Sequence, residues 1–164
     1  DGRIDAGQGL GSAEIGHTVQ LDEAGELRRL EDLASGWAIQ EWARRRLGEP
    51  EGEALRAELR GDETGLTTRL LAERAGLGDA LATAALGRGA WFLGIALANV
   101  VSLLDPEVIV IGGGVGQAGP PFFDPLRATV ARHAFHLYRH HFRLAPAALG
   151  ESVVLVGALL VAAG

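Results

Sequence analysis

The run at 105–119, DPEVIVIGGGVGQAG, constrains this chain more than any other stretch. Its opening Asp-Pro stops a helix, because the proline ring disfavours helical backbone at the residue before it. Val108–Ile111 is a short uncharged run between turn residues. That is the composition of a buried strand, parallel to its neighbours. Gly112, Gly113 and Gly114 follow at its carboxyl end, then Gly116 and Gly119. Glycines there put no Cβ between backbone and ligand, and open α/β sheets bind ligands beyond their strand ends. The chain is therefore read as α/β, with a small-molecule site at the tip of this strand. A plain tight turn uses the same glycines. A dinucleotide fingerprint fits poorly. Gly114, Gly116 and Gly119 have the G-x-G-x-x-G spacing, but Pro120 and Pro121 follow where a helix must already run. Arg139 also stands near where an acidic ribose ligand is needed.

The 164 residues suffice for one domain with a real core. Net charge is −6 with no basic stripe, which argues against a nucleic-acid partner for this segment. There is no Cys, hence no disulfide, thiolate metal site or thiol nucleophile. All 15 basic residues are Arg. Without Lys, neither a lysine phosphate cradle nor a Schiff base is available within the segment. The longest uncharged run, 89–104, is sixteen residues. A bilayer span needs ~18–20. With no signal-peptide pattern either, no membrane is expected, and the cytoplasm is the default location. There is no Met, and the first residues, DGRI, read as the end of a hairpin, so a segment of a longer chain is expected.

Taken in order, 1–6 reads as a strand edge with Asp1-Gly2 as a hairpin turn, and 7–16 as a glycine-rich loop carrying Glu14, with His17 just beyond. Residues 21–28 read as polar loop. Leu30, Leu33, Ala34, Trp37, Ala38 and Trp42 recur at helical spacing, one packing face. Ser35-Gly36 inside that run implies either a break capped by Ser35 or a close helix contact. Short helices follow at 53–59 and 67–75. Asp79 caps the longest helix, 80–104, whose second half is apolar nearly all round. That places Asn99 and Ser102 as buried polar groups and Gly87, Gly94 and Gly157 as close-contact points. A helix at 122–134, a strand at 142–144 and a closing helix at 152–163 complete the reading. His133, His136, His140 and His141 suggest a metal only if a helix continues that far; no acidic residue lies among them.

Four stretches in this order, EIGH (14–17), LEDLASGWAI (30–39), LLDPEVIVIGGGV (103–115) and GAL (157–159), resemble the ROK family. That family comprises bacterial sugar kinases and sugar-responsive repressors of the actin/hexokinase-like fold. The resemblance covers nearly the whole chain. It implies a single domain, 1–164, that is the C-terminal lobe of a two-lobed protein: a ribonuclease-H-like α/β unit with an inserted helical subdomain at about 30–104. It implies sugar binding by Glu14, His17 and Glu31, and receipt of the adenosine end of ATP by Gly112, Gly113 and Gly114. Many members place three cysteines between that histidine and that glutamate and bind structural zinc with them. Here residues 18–30 are shortened and hold none, so no zinc is expected. The general base belongs to an N-terminal lobe, so no catalytic residue is expected in this segment. The implied whole is an ATP-dependent, glucokinase-like hexose kinase, with Mg supplied with ATP, acting as a homodimer. The segment alone is expected to be inactive. The alternatives are the sugar-sensing effector domain of a repressor, and a degenerate member that only dimerises.

Overall fold

The computed structural model describes residues 8, 13–138 and 141–162. The expected strand edge and turn at 1–6, most of the loop at 7–16, and His140 lie outside them. After a 3-10 turn at Ile15–His17 comes a hairpin, β1 Val19–Leu21 and β2 Leu27–Arg29. Five helices follow: α1 Leu30–Ala34, α2 Gly36–Arg44, α3 Glu53–Leu59, α4 Thr68–Gly76 and α5 Ala80–Leu104. Strand β3 Val108–Ile111 leads into α6 Gly113–Gly116 and α7 Pro120–His133, then β4 Arg143–Pro146 and α8 Val153–Ala162.

The core is built on α5, which packs against α1, α2, α4 and above all α7. Asp79 caps it as expected, its carboxylate accepting from the Ala82 N–H at 2.8 Å. The helix ends where Asp105 turns left-handed at φ 45°, just before Pro106. Leu86, Leu97 and Val101 of α5 meet Phe122, Leu126 and Val130 of α7 in one buried cluster. Full burial of such side chains contributes ~1.5–3 kcal/mol each. The axes come close because Gly94 has no side chain: a Cβ there would stand 2.6 Å from the Thr129 Cβ on α7. Gly87 and Gly157 are not contact points; nothing lies within 4 Å of where their Cβ would be. Asn99 is exposed rather than buried, since the helix keeps one stripe toward solvent. Ser102 is exposed as well, though partnered: its hydroxyl donates to the Ala98 carbonyl at 2.7 Å and accepts from the Phe135 N–H at 2.9 Å. With 25 residues, α5 is long and apolar enough to cross a bilayer. Its packing against four helices accounts for that composition.

Further expectations are corrected. Residues 21–28 are no loop but most of an antiparallel hairpin, in register Val19↔Arg29 and Leu21↔Leu27. The turn is made by Asp22, whose carboxylate accepts from the N–H groups of Ala24 and Glu26, each at 2.9 Å, and by Gly25 at φ +81°. Of the two readings of Ser35-Gly36 the break is the one that forms: the helix begun at Leu30 stops there and the Ser35 hydroxyl caps the next, accepting from the Ala38 N–H at 3.2 Å. That break turns Trp37 outward, 57% exposed, while Leu30 and Leu33 stay buried. Finally, β3 pairs with β4 in parallel, Ile109↔Leu144 and Ile111↔Pro146. The pairing matches the expectation for β3, but its burial is one-sided. Ile111 faces the core, whereas Val110 on the opposite face is 57% exposed. The helix read as 122–134 starts at Pro120; both prolines sit in its first turn, where no intrahelical N–H bond is needed.

Candidate functional site

The two ends of the Thr18–Leu30 segment are tied together. The Leu30 N–H donates to the Thr18 carbonyl at 2.8 Å, and the Thr18 hydroxyl donates to the Ile15 carbonyl at 2.7 Å. Residues Ile15–His17 form one tight 3-10 turn, in which the His17 N–H donates to the Glu14 carbonyl at 3.0 Å. Docking this turn on the start of α1 brings His17 Nε2 to 4.0 Å from Glu31 Oε1. The turn and the helix start pack closely here: a Cβ at Gly16 would make ordinary contact with the Glu31 Cβ, at 3.5 Å. Both side chains remain open to solvent, as does Glu14 one turn earlier. A donor–acceptor imidazole and a carboxylate on one accessible edge can bind hydroxyl groups.

Sequence reasoning missed Arg29. Its Nη1 lies 3.0 Å from Glu31 Oε1 and its Nε lies 3.3 Å from Asp32 Oδ2. The only signal was its place directly before an apolar–acidic–acidic start of helix.

No cysteine holds this region, and a different brace does. Arg88 of α5 donates to the Leu33 carbonyl at 3.0 Å and grips both carboxylate oxygens of Glu23, Nη2 to Oε2 at 3.1 Å. Its guanidinium carbon also lies 4.8 Å from the Phe92 ring centroid. Gln20 donates to the Phe92 carbonyl at 3.2 Å. The hydrogen bond from Arg88 holds the Glu23 carboxyl below its ordinary range. The backbone N–H of Glu26, with that of Ala24 and the Arg28 side chain, does the same for Asp22.

The glycines behave differently from one another. Gly113 is left-handed, φ +69°, with nothing within 4 Å of a would-be Cβ. Gly114 would meet only Thr68, at 3.8 Å. Thr68 is buried, and its hydroxyl accepts from Gln40 Nε2 at 3.0 Å. Gly116 serves packing alone: a Cβ there would fall 2.3 Å from the Ile111 carbonyl oxygen. Gly112, Gly113 and Gly114 are all exposed. Beyond α6, an apolar cleft of about 790 Å³ opens between α4 and α7, lined by Ala72, Leu77, Ala118 and Pro121 among others. A polar cleft of about 400 Å³ lies beside Asp32, Trp37, Trp42 and Arg88, and its lining does not include Glu14, His17 or Glu31. Among the described residues no group of three or more His, Asp or Glu is placed to hold a metal ion.

A sequence profile of the ROK family matches residues 1–164. A glucokinase of Halalkalibacterium halodurans is 31% identical over 153 residues, covering 89% of this chain and 46% of that protein. A ROK-family glucokinase from Streptomyces griseus, solved in complex with glucose and AMPPNP, superposes with a TM-score of 0.82 at 29% identity, over 97% of this chain and 54% of that one. A ROK-family transcriptional regulator, a homologue of the E. coli MLC protein, superposes with a TM-score of 0.71 at 25% identity, over 89% and 37%. The chain thus spans about half the length of the curated glucokinases it matches. Its architecture is that of an α/β protein of the actin/hexokinase-like class represented by these sugar kinases. The chain belongs to the ROK family.

Proposed function

We propose that this chain forms the sugar- and nucleotide-binding part of an ATP-dependent hexose kinase, one that transfers the γ-phosphoryl group to a sugar hydroxyl. The observation that carries the reading is the pairing of His17 with Glu31, 4.0 Å apart on an open edge. Imidazole and carboxylate together donate and accept, which suits vicinal hydroxyls on a hexose ring. Sites built to hydrogen-bond a hydroxyl strongly reject analogues that lack it. Glu14, on the adjoining turn, supplies a further acceptor.

The glycine strand supports the second ligand. Gly113 and Gly114 leave exposed backbone with room in front of it at the end of β3. These features fit the adenosine end of ATP at Gly112, Gly113 and Gly114. Mg²⁺ would arrive with the nucleotide and neutralise phosphate charge. In this reading residues 1–164 are a C-terminal lobe of ribonuclease-H-like topology, with α1–α5 in a helical insertion at about 30–104. The lobe binds and orients both substrates. The general base belongs to a partner lobe, because the carboxylates at 14 and 31 are binders. Phosphoryl transfer relies on positioning and charge stabilisation, so half of each site does not suffice. The whole protein acts as a cytoplasmic homodimer.

A sugar-sensing effector domain of a ROK repressor is the second reading. The likeness to the MLC-type regulator favours it, as does a xylose repressor of Bacillus subtilis, 23% identical over 105 residues. A coupled assay of ADP release from the full-length protein, with glucose and MgATP, separates the two. Hexose-dependent turnover is the expected result. Hexose binding without turnover, together with DNA binding, would establish the repressor reading instead.

A further inference from the structure

Glu31 is not an isolated carboxylate. Its Oε1 faces Arg29 Nη1 at 3.0 Å and His17 Nε2 at 4.0 Å. Its Oε2 lies on the Gly16 side, 3.9 Å from where a Gly16 Cβ would stand. The Arg29 guanidinium is itself anchored, because its Nε pairs with Asp32 Oδ2 at 3.3 Å. Arg29 ends β2 with extended backbone immediately before α1, so its side chain leaves the chain just ahead of the two carboxylates it bridges. One planar fork thus binds the first-turn acids of α1 through two different nitrogens. A fork fixes orientation where a lysine ammonium, a point charge, does not.

We infer that Arg29 is a positioning residue for the hexose site. It occupies one oxygen of Glu31 and so holds the carboxylate in the rotamer that presents its other oxygen to a ligand hydroxyl, and Asp32 holds Arg29 in turn. This rests on the reading of Glu31 as a hexose binder. Left alone, a glutamate at a helix start samples several rotamers and must be ordered when the ligand arrives, at a cost in affinity. Arg29 is half-exposed and pairs only with surface groups, so its contribution to fold stability is small.

The test measures dissociation constants for glucose and for MgATP, with thermal melts, on the full-length protein and its variants Arg29→Ala, Arg29→Lys, Asp32→Asn, Glu31→Gln and Arg29→Ala/Glu31→Gln. Arg29→Ala is expected to weaken glucose binding roughly tenfold, the effect of one charge-assisted contact, with MgATP affinity and melting point unchanged. Arg29→Lys should recover only part of the loss, and Asp32→Asn should show a smaller loss in the same direction. In the Glu31→Gln background, Arg29→Ala should add little, since both act through one group. If Glu31→Gln weakens glucose binding but Arg29→Ala does not, or if the two losses simply add, the positioning role is overturned and the site stands. If Glu31→Gln leaves glucose binding intact, the hexose site itself is misassigned and this inference falls with it.

Discussion

The Arg88 guanidinium donates to the Leu33 carbonyl at 3.0 Å, joining the middle of the central helix to the end of α1. The same side chain grips Glu23 in the hairpin and is only 14% exposed. It therefore does for this region what a bound metal does elsewhere, cross-linking segments distant in sequence. Replacing it with Met keeps the stem but orphans the Leu33 carbonyl. Arg88→Met is expected to cost about 1.5–3 kcal/mol, the range for hydrogen bonds to charged groups. Glu23→Gln should cost less than about 1 kcal/mol, since Glu23 is mostly exposed. Urea denaturation of both variants checks the ordering.

The same brace implies an acid sensitivity. Both Asp22 and Glu23 titrate below their ordinary values in the folded chain, held down by the Glu26 N–H and by Arg88 respectively. A depressed carboxylate stabilises the fold in its ionised form. That contribution is complete above the unfolded values, near pH 4, and is lost as pH falls through the lower folded values. Melting temperature should therefore drop below about pH 4. The drop should be shallower in an Asp22→Asn/Glu23→Gln variant, which starts from a lower plateau at neutral pH.

Gly114 offers the cleaner probe of the nucleotide site. A methyl there meets Thr68 at an ordinary 3.8 Å, whereas any side chain at Gly113 is strained by its φ of +69°. Gly114 lies in α6, where alanine is favoured over glycine by up to ~1 kcal/mol. Gly114→Ala should thus fold as well as or better than the wild type, yet bind MgATP at least about tenfold more weakly, with hexose affinity retained. Equal loss of both ligands in calorimetric titrations would mark the glycines as a turn without a ligand. Gly113→Val is expected to lose ATP affinity too, but with a stability loss that blurs the result.

Glu31→Gln keeps the shape of the side chain and removes the charge. It is expected to weaken hexose binding by ~1–3 kcal/mol, the range for a lost charge-assisted hydrogen bond. Stability should change little, because Glu31 is partly exposed and its partners remain solvated. Fluorescence titration with glucose, alongside a thermal melt, separates these two effects.

The parts of the fold legible in the sequence were those set by strong local chemistry. Asp79 as a cap, Asp105-Pro106 as a stop and Val108–Ile111 as a strand each follow from one or two residues whose backbone preferences leave few options. The hairpin was not legible, because VQL and LRR are too short and mixed to show alternation. It is made by the Asp22 side chain folding back on the turn. Trp37 was misplaced because the 3.6-residue period was carried through Ser35 to the far side of the break that Ser35-Gly36 itself signalled. The proximity of His17 and Glu31 could be argued from the burial of Leu30 and Leu33. The role of Arg29 could not, since an arginine beside acids looks the same on paper whether it faces solvent or a neighbour.

Helix α5 carries a consequence for how this chain can vary. At about 1.5 Å per residue its 25 residues make a rod of roughly 37 Å. Arg88 clamps the hairpin and α1 near its middle, and Asp105 launches the glycine strand from its carboxyl end. The span between these regions is therefore ruled by a count of residues rather than by their identities. One residue added or removed between Arg88 and Asp105 would swing everything downstream by about 100°, turning Gly94 away from Thr129 in the same motion. Sequence drift along α5 is open mainly where small residues are not required, as they are at Gly94 against α7 and at Gly89 against Ile39 of α2, whereas its length is nearly frozen.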